Sequence, residues 1–298
     1  MSDFSDKLKA GDFVVSSEIG PPKGVHLEHC LGEAEHMRDR VTAINVTDIQ
    51  SAVMRVGSMA VCHMLKERGM EPILQMVCRD RNQLALQSDL LSAVALGIEN
   101  VLCLTGDHNV MGDHKDSKPV FDLDSVGLLE TVTTLMGGHD LAGGELEGDP
   151  PVLFPGAVVT PDAEPLEPQL IKMQKKIKAG ARFFQTQAVY DSKKFHAFMN
   201  EADKFGAPVL LGIVVLKNAG MANYMNKFVA GVNVPAELID ELKADPDKTK
   251  SGETGCEIAA RTIRECRDCC QGVHIMPLGW DDKVPHILDL VDVAGVLA

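Results

Sequence analysis

The chain has 298 residues, 45% hydrophobic and 24% charged, with a formal net charge of −14. Such a length suits one large α/β domain, and the composition is that of a globular protein with enough apolar residues for a sizeable core. The acidic balance argues against a nucleic-acid binder, so an anionic ligand must find local positive charge at lysines or helix N-termini.

The opening stretch, MSDFSDKLKAGDF, has no apolar h-region, and no apolar run approaches the roughly 18 residues of a membrane span. The expectation is a chain without signal peptide or span, placed in the cytoplasm. Its eight cysteines, Cys30, Cys62, Cys78, Cys103, Cys256, Cys266, Cys269 and Cys270, then read as free thiols.

Short apolar runs alternate with longer amphipathic stretches. FVVSSEI (13–19) predicts a strand and HLEHCLGEAEHMRDR a helix. VTAINV (41–46) is the next strand, followed by a helix through SMAVCHMLKERG. EPILQMVC is a third strand. NQLALQSDLLSAVALG is an amphipathic helix closed by Gly97, and NVLCLTG a fourth strand. A polar loop, DHNVMGDHKDSKPV, leads to a helix through SVGLLETVTTLM. The glycine- and acid-rich GGHDLAGGELEGDPP reads as a loop or short hairpin. PVLFPGAVV, ARFFQTQAV and APVLLGIVVL are strands five to seven, separated by helices through PLEPQLIKMQKKIKAG and SKKFHAFMNEADKFG. Two or three helices follow, through NYMNKFVAG, PAELIDELKA and GCEIAARTIRECRDCC. GVHIMPL is an eighth strand and VPHILDLVDV a terminal helix.

Strands alternating with helices imply a parallel sheet with right-handed crossovers. A closed barrel and an open doubly wound sheet both fit. The even strand count and the absence of a linker favour a single-domain (β/α)8 TIM barrel over residues 1–298. No G-x-G-x-x-G follows any strand, so a Rossmann site has no support. In a barrel, chemistry sits at the C-terminal strand ends. The polar residues there are Glu18, Thr47, Asp48, Cys78 to Asp80, Thr105 to His108, Gln185, Gln187, Lys217, Asn218 and Trp280 to Asp282.

Four ordered segments carry a family resemblance: SSEIGPPKG (16–24), CRDRNQLALQSDLLSAVALGIENVLCLTGD (78–107), KAGARFFQTQAVYD (178–191) and the final GVHIMPL. From about Asp12 onward the chain resembles the methylenetetrahydrofolate reductases. This resemblance implies a flavin-binding barrel that reduces methylenetetrahydrofolate to methyltetrahydrofolate by hydride transfer from flavin N5. It implies FAD as cofactor, with FMN as the alternative.

Residue by residue, the resemblance makes Glu18 the acid that protonates the folate's leaving nitrogen and Asp107 a catalytic aspartate between flavin and pterin. Gln187 becomes a folate-binding amide, and Trp280 a ring able to stack on the substrate. Thr47, Gln75, Thr105, Gly106, Asp107, Phe154 and Lys176 fall at flavin-contacting positions. Plain structural alternatives stand beside these roles. Glu18 could be a solvated strand-end charge, Asp107 a turn aspartate, Gln187 a polar strand end, and Lys176 part of a solvated helix face. The chain departs from common members with Gln75 for histidine, Thr105 for arginine, Phe154 for tyrosine and Trp280 for arginine, which leaves the flavin type open.

Cys266, Cys269 and Cys270 share one helix face, but structural zinc sites take four ligands, and burial as small apolar residues is the expectation: no metal. The resemblance implies an electron donor that is either NADH or NADPH docking directly on the flavin or an iron–sulfur partner subunit, and the chain is expected in an oligomer or hetero-complex. A flavin-free folate or corrinoid methyltransferase and a non-catalytic barrel subunit are the competing readings.

Overall fold

The computed structural model describes residues 2–292. Its strands are β1 (Val14–Ile19), β2 (Ala43–Val46), β3 (Pro72–Val77), β4 (Asn100–Leu104), β5 (Phe154–Val159), β6 (Phe183–Ala188), β7 (Val209–Val214) and β8 (Gly272–Met276). Each pairs in parallel with its sequence neighbour, and β1 pairs with β8 to close the barrel. This is the expected (β/α)8 architecture.

The helices are α1 (Asp3–Ala10), α2 (Glu28–Met37), α3 (Ser58–Glu67), α4 (Gln83–Ala95), α5 (Ser125–Met136), α6 (Glu167–Lys178), α7 (Ser192–Ala202), α8 (Ala219–Phe228), α9 (Ala236–Ala244), α10 (Pro246–Ser251), α11 (Glu253–Cys266) and α12 (Val284–Asp292). Side-chain caps fix several starts: Asn82 accepts from the Ala85 amide at 3.0 Å, and Asp124 from Val126 and Gly127 at 2.9 Å. Gly97, at φ +78°, ends α4 as expected. The glycine-rich segment is a loop with one antiparallel bridge, His139 to Glu145. Four helices, rather than two or three, separate β7 from β8; the extra one is the six-residue α10, capped by Asp245.

Alternate strand residues point into the barrel. The lowest layer is apolar: Val14, Ala43, Ile73, Leu102, Phe154, Phe183 and Leu210 pack together with Phe4 and Leu8 of α1. Phe4 meets Phe183 edge-on at 5.1 Å and Phe154 at 6.1 Å, while Phe154 and Phe183 stack at 5.3 Å. Gly156 makes room for this, because a Cβ there would sit 2.2 Å from the Phe183 ring. Helix α1, absent from the expected elements, therefore closes the N-terminal end of the barrel.

The same packing corrects one sequence assignment. Phe154 begins β5 and belongs to this apolar floor, at the opposite end from the strand tips, so it is not a cofactor contact. The expectation came from the family resemblance, which set Phe154 where a tyrosine is common, without regard to which end of β5 it occupies.

Candidate active site

Above the floor, the barrel interior turns polar. Asn45 of β2 and Gln185 of β6 exchange amide hydrogen bonds at 2.8 and 3.1 Å, and Gln185 Nε2 also donates to Ser16 Oγ at 3.3 Å. The Ser16 hydroxyl shares a 3.0 Å hydrogen bond with His274 Nδ1 on β8. His274 Nε2 in turn lies 3.6 Å from Glu18 Oε2. All five side chains are buried. The chain of contacts thus crosses the barrel and ends at Glu18, orienting its carboxyl at the mouth. Burying five polar groups is tolerable only because each finds a partner.

Two adjoining cavities occupy the mouth and share Gln50. One, about 300 Å3, is lined by Glu18, Gly20, Glu33, Thr47, Arg55 and Asp281, among others. The second, about 320 Å3, brings together Gln75, Thr105, Gly106, Asp107 and Gln187 with Asp48, Ile49, Arg79 and Val158. Both volumes reach the lower end of the roughly 300–1,000 Å3 typical of ligand sites. Gln187 reaches its cavity because β6 shifts register against β7 between Gln185 and Ala188. Such bulges re-aim a side chain next to a site.

Buried Arg79 organises this region. Its guanidinium donates to the Ile49 carbonyl at 3.0 Å and the Asp107 carbonyl at 3.1 Å, and it pairs with Asp80 at 2.7 Å. It thereby ties the loop after β2 to the loop after β4. Gly106 precedes Asp107 at φ +91°, and a Cβ there would press on Val77 at 3.1 Å. Non-glycine residues with positive φ gather at the same face: Ile49, Ser51 and Ala52 after β2, Phe121 after β4 and Leu278 after β8. Residues held in that region cluster at functional sites.

Several expected residues lie elsewhere. Lys176 is buried beneath the mouth, donating from Nζ to the Val158 carbonyl at 2.6 Å, and burial depresses it to about 8. It reaches the second cavity only through Val158, which lines it. Trp280 lies outside both cavity linings. Its ring faces the Lys217 ammonium at 5.1 Å and packs beside Gly252. Its neighbour Asp281 takes the cavity wall instead. Burial, then the adjacent Glu33 charge, pushes Asp281 up to about 7. His274 and Glu33 were not singled out by sequence, whereas Arg79 and Asp281 fall within the strand-end polar stretches named there. His274 lies inside the quoted GVHIMPL, and its inward position follows from counting in twos from Gly272.

A flavin can be tested against this geometry. Thr47 Oγ1 is buried with no hydrogen-bond partner, which marks a polar position awaiting a ligand group. Gln75, Thr105, Gly106 and Asp107 already wall one cavity beside it. These donors and acceptors fit the polar edge of an isoalloxazine. Phe154 does not contribute.

All eight cysteines are free, and burial pushes Cys269 up to about 12 and Cys270 up to about 11. His196, Asp268 and Cys269 bring one ligand atom each within 4.8 Å of one another. That arrangement supplies three ligands, far from the barrel mouth in sequence and fold. Among the described residues, no helix is long and apolar enough to cross a membrane.

The barrel with an acid-tipped, polar mouth defines a class of α/β-barrel enzymes that work at the strand ends. Within it, the chain matches the family model for methylenetetrahydrofolate reductase over residues 3–292. It belongs to that family. It is 26% identical over 309 aligned residues to methylenetetrahydrofolate reductase 2 of Schizosaccharomyces pombe, covering 96% of this chain and 46% of that protein. A probable NADPH-type methylenetetrahydrofolate reductase of Caenorhabditis elegans is 22% identical over 231 residues, covering 76% and 33%. The chain thus spans about half the length, or less, of these curated relatives. A Clostridium thermocellum protein described as binding two copies of 5-methyl-5,6,7,8-tetrahydrofolic acid superposes with a TM-score of 0.65 at 14% identity, over 99% of this chain and 100% of that one. Oxaloacetate acetylhydrolase gives 0.54 at 11% identity, over 99% and 88%. These likenesses define the fold.

Proposed function

We propose that this chain reduces 5,10-methylenetetrahydrofolate to 5-methyltetrahydrofolate in a flavin-dependent reaction. The observation that carries the reading is the meeting of Glu18 with Asp107 and Gln187 across two cavities joined at Gln50. A bound flavin, FAD or FMN, would supply the hydride. Gln75, Thr105, Gly106 and Asp107 would hold its ring, with Thr47 offering a free hydroxyl; Lys176, tied to the Val158 carbonyl, would act on the site only from behind.

The residues themselves do the acid–base work. Opening the imidazolidine ring to an iminium needs a proton at the leaving nitrogen, and Glu18 can deliver it from the mouth. Ser16 and His274 fix the orientation of that carboxyl from behind. The Gln187 amide can donate and accept at the pterin edge, and Asp107 can take a pterin N–H. Arg79 holds the Asp107 backbone in place while the loops close around the ligand. NADH, NADPH or a partner redox subunit provides the electrons, arriving at the same mouth.

The first test is the absorbance spectrum of the purified protein with release and identification of the flavin. A colourless protein that takes up no flavin removes the reading and favours a flavin-free methyltransferase. With flavin bound, Glu18→Gln is expected to abolish folate reduction while leaving flavin reduction nearly intact. Equal slowing of both half-reactions would remove the acid assignment. Asp107→Asn is expected to weaken folate binding and shift the flavin potential.

A further inference from the structure

We propose that Glu33 and Asp281 form a proton-supply path that reloads Glu18 from solvent between turnovers. The proposal rests on the reading of Glu18 as the acid.

The path can be followed outward. Glu18, Asp281 and Glu33 line the same cavity of about 300 Å3. Asp281, in the turn after β8, is 5% exposed, and the Glu33 carboxyl on α2 lines the same cavity and acts on it electrostatically. Glu33 Oε1 is 3.3 Å from His29 Nδ1, and the His29 side chain is 87% exposed. Carboxyls therefore lead from an open surface imidazole to the acid at the mouth.

The inner side of Glu18 offers no such route. It passes through His274 and Ser16 to the Asn45–Gln185 amide pair. Amides do not take up and release protons near neutral pH, so that direction is closed.

The electrostatics suit storage. Glu33 and Cys30 face Asp281 from α2, Glu18 faces it from β1, and Arg55 lines the same cavity. Asp282 and Lys283 flank it and pair with each other at 3.6 Å. Helix α12 also packs against this turn, but directs His286 to Glu253 and Asp289 to Arg40. Three carboxyls in one small cavity cannot all ionise cheaply, so the group retains a proton beside Glu18. Burial raises Asp281 to about 7, in keeping with that retention.

The balance is simple. Each turnover consumes one hydride and one proton. The Glu18 O–H bond breaks and an N–H bond forms as the folate C–N bond opens. The Asp281 proton then passes to the Glu18 carboxylate through cavity water. Asp281 is reloaded by Glu33, and Glu33 by His29 or bulk water. No electrons move in the reloading steps.

The test compares Asp281→Asn and Glu33→Gln in the flavin-loaded protein, with dithionite-reduced methyl viologen as donor. Later turnovers are expected to slow more than the first, on the order of tenfold above neutral pH. The solvent deuterium effect should rise, and added imidazole should restore rate. Unchanged steady-state rates and isotope effects in both variants would overturn the proposal, as would a first turnover slowed as much as the rest. A second readout needs no activity. Infrared spectra of the substrate-free protein at neutral pH should contain a carboxylic-acid C=O band that Asp281→Asn removes; its absence from the parent protein counts against the path. Glu33→Gln, at a less buried position, serves if Asp281→Asn does not fold. Should Glu18→Gln still reduce folate while the infrared band persists, it is the acid reading that fails, not the stored proton.

Discussion

Arg79 shows how much one side chain can hold at the mouth. It is 1% exposed and bonds two loop carbonyls besides Asp80. Lysine keeps the charge but not the planar fork, so it cannot span both carbonyls. Arg79→Lys is therefore expected to loosen the loops after β2 and β4 and to weaken flavin retention at least several-fold, measured by flavin release on dilution. Full retention would mean that the tie is dispensable.

Asp281 yields a stability prediction of definite sign. Its pKa rises from 3.8 to about 7 on folding. The unfolded chain thus releases this proton at lower pH than the folded one, and native stability falls as pH climbs through that window. Each unit is worth about 1.4 kcal/mol before relaxation is allowed for. Asp281→Asn should raise the Tm at about pH 8 and change it little at about pH 4. A gain at the acid end alone would contradict the assignment.

The legibility of such residues differed for physical reasons. Glu18, Asp107 and Gln187 end or follow apolar strands, so a count along the chain finds them. Glu33 sits on an otherwise ordinary amphipathic helix. Its meeting with Asp281 depends on β8 closing against β1, a contact no local pattern encodes. Trp280 drew notice where the resembled family commonly has an arginine, yet it packs beside the Lys217 side chain and Gly252, outside the cavity linings.

At the scale of elements, strands and most helices were readable because period and capping agreed. Helix α1 was not, having eight residues and only two large apolar ones, Phe4 and Leu8. Such a short helix has little stability of its own and is held by packing. Phe4 is fully buried among Phe154, Phe183 and their neighbours. Phe4→Ala should cost about 3–5 kcal/mol in denaturant unfolding. Because the floor is remote from the strand tips, the KM for folate should hold steady in the variant that remains folded. The bulge in β6 was equally silent in sequence, since ARFFQTQAV alternates without an evident insertion.

For the whole molecule, the barrel sorts its interior by height: rings below, amides and a histidine in the middle, carboxyls above. Helix α1 stoppers the lower end, and the two cavities described above lie at the opposite one. If the chain works as proposed, two neighbouring cavities of about 300 and 320 Å3 would leave little room for a nicotinamide and a pterin to sit against the same flavin face at once. Donor and acceptor would then take turns. Double-reciprocal plots at several fixed folate concentrations should then run parallel, whereas lines that converge would mean that both ligands bind at once.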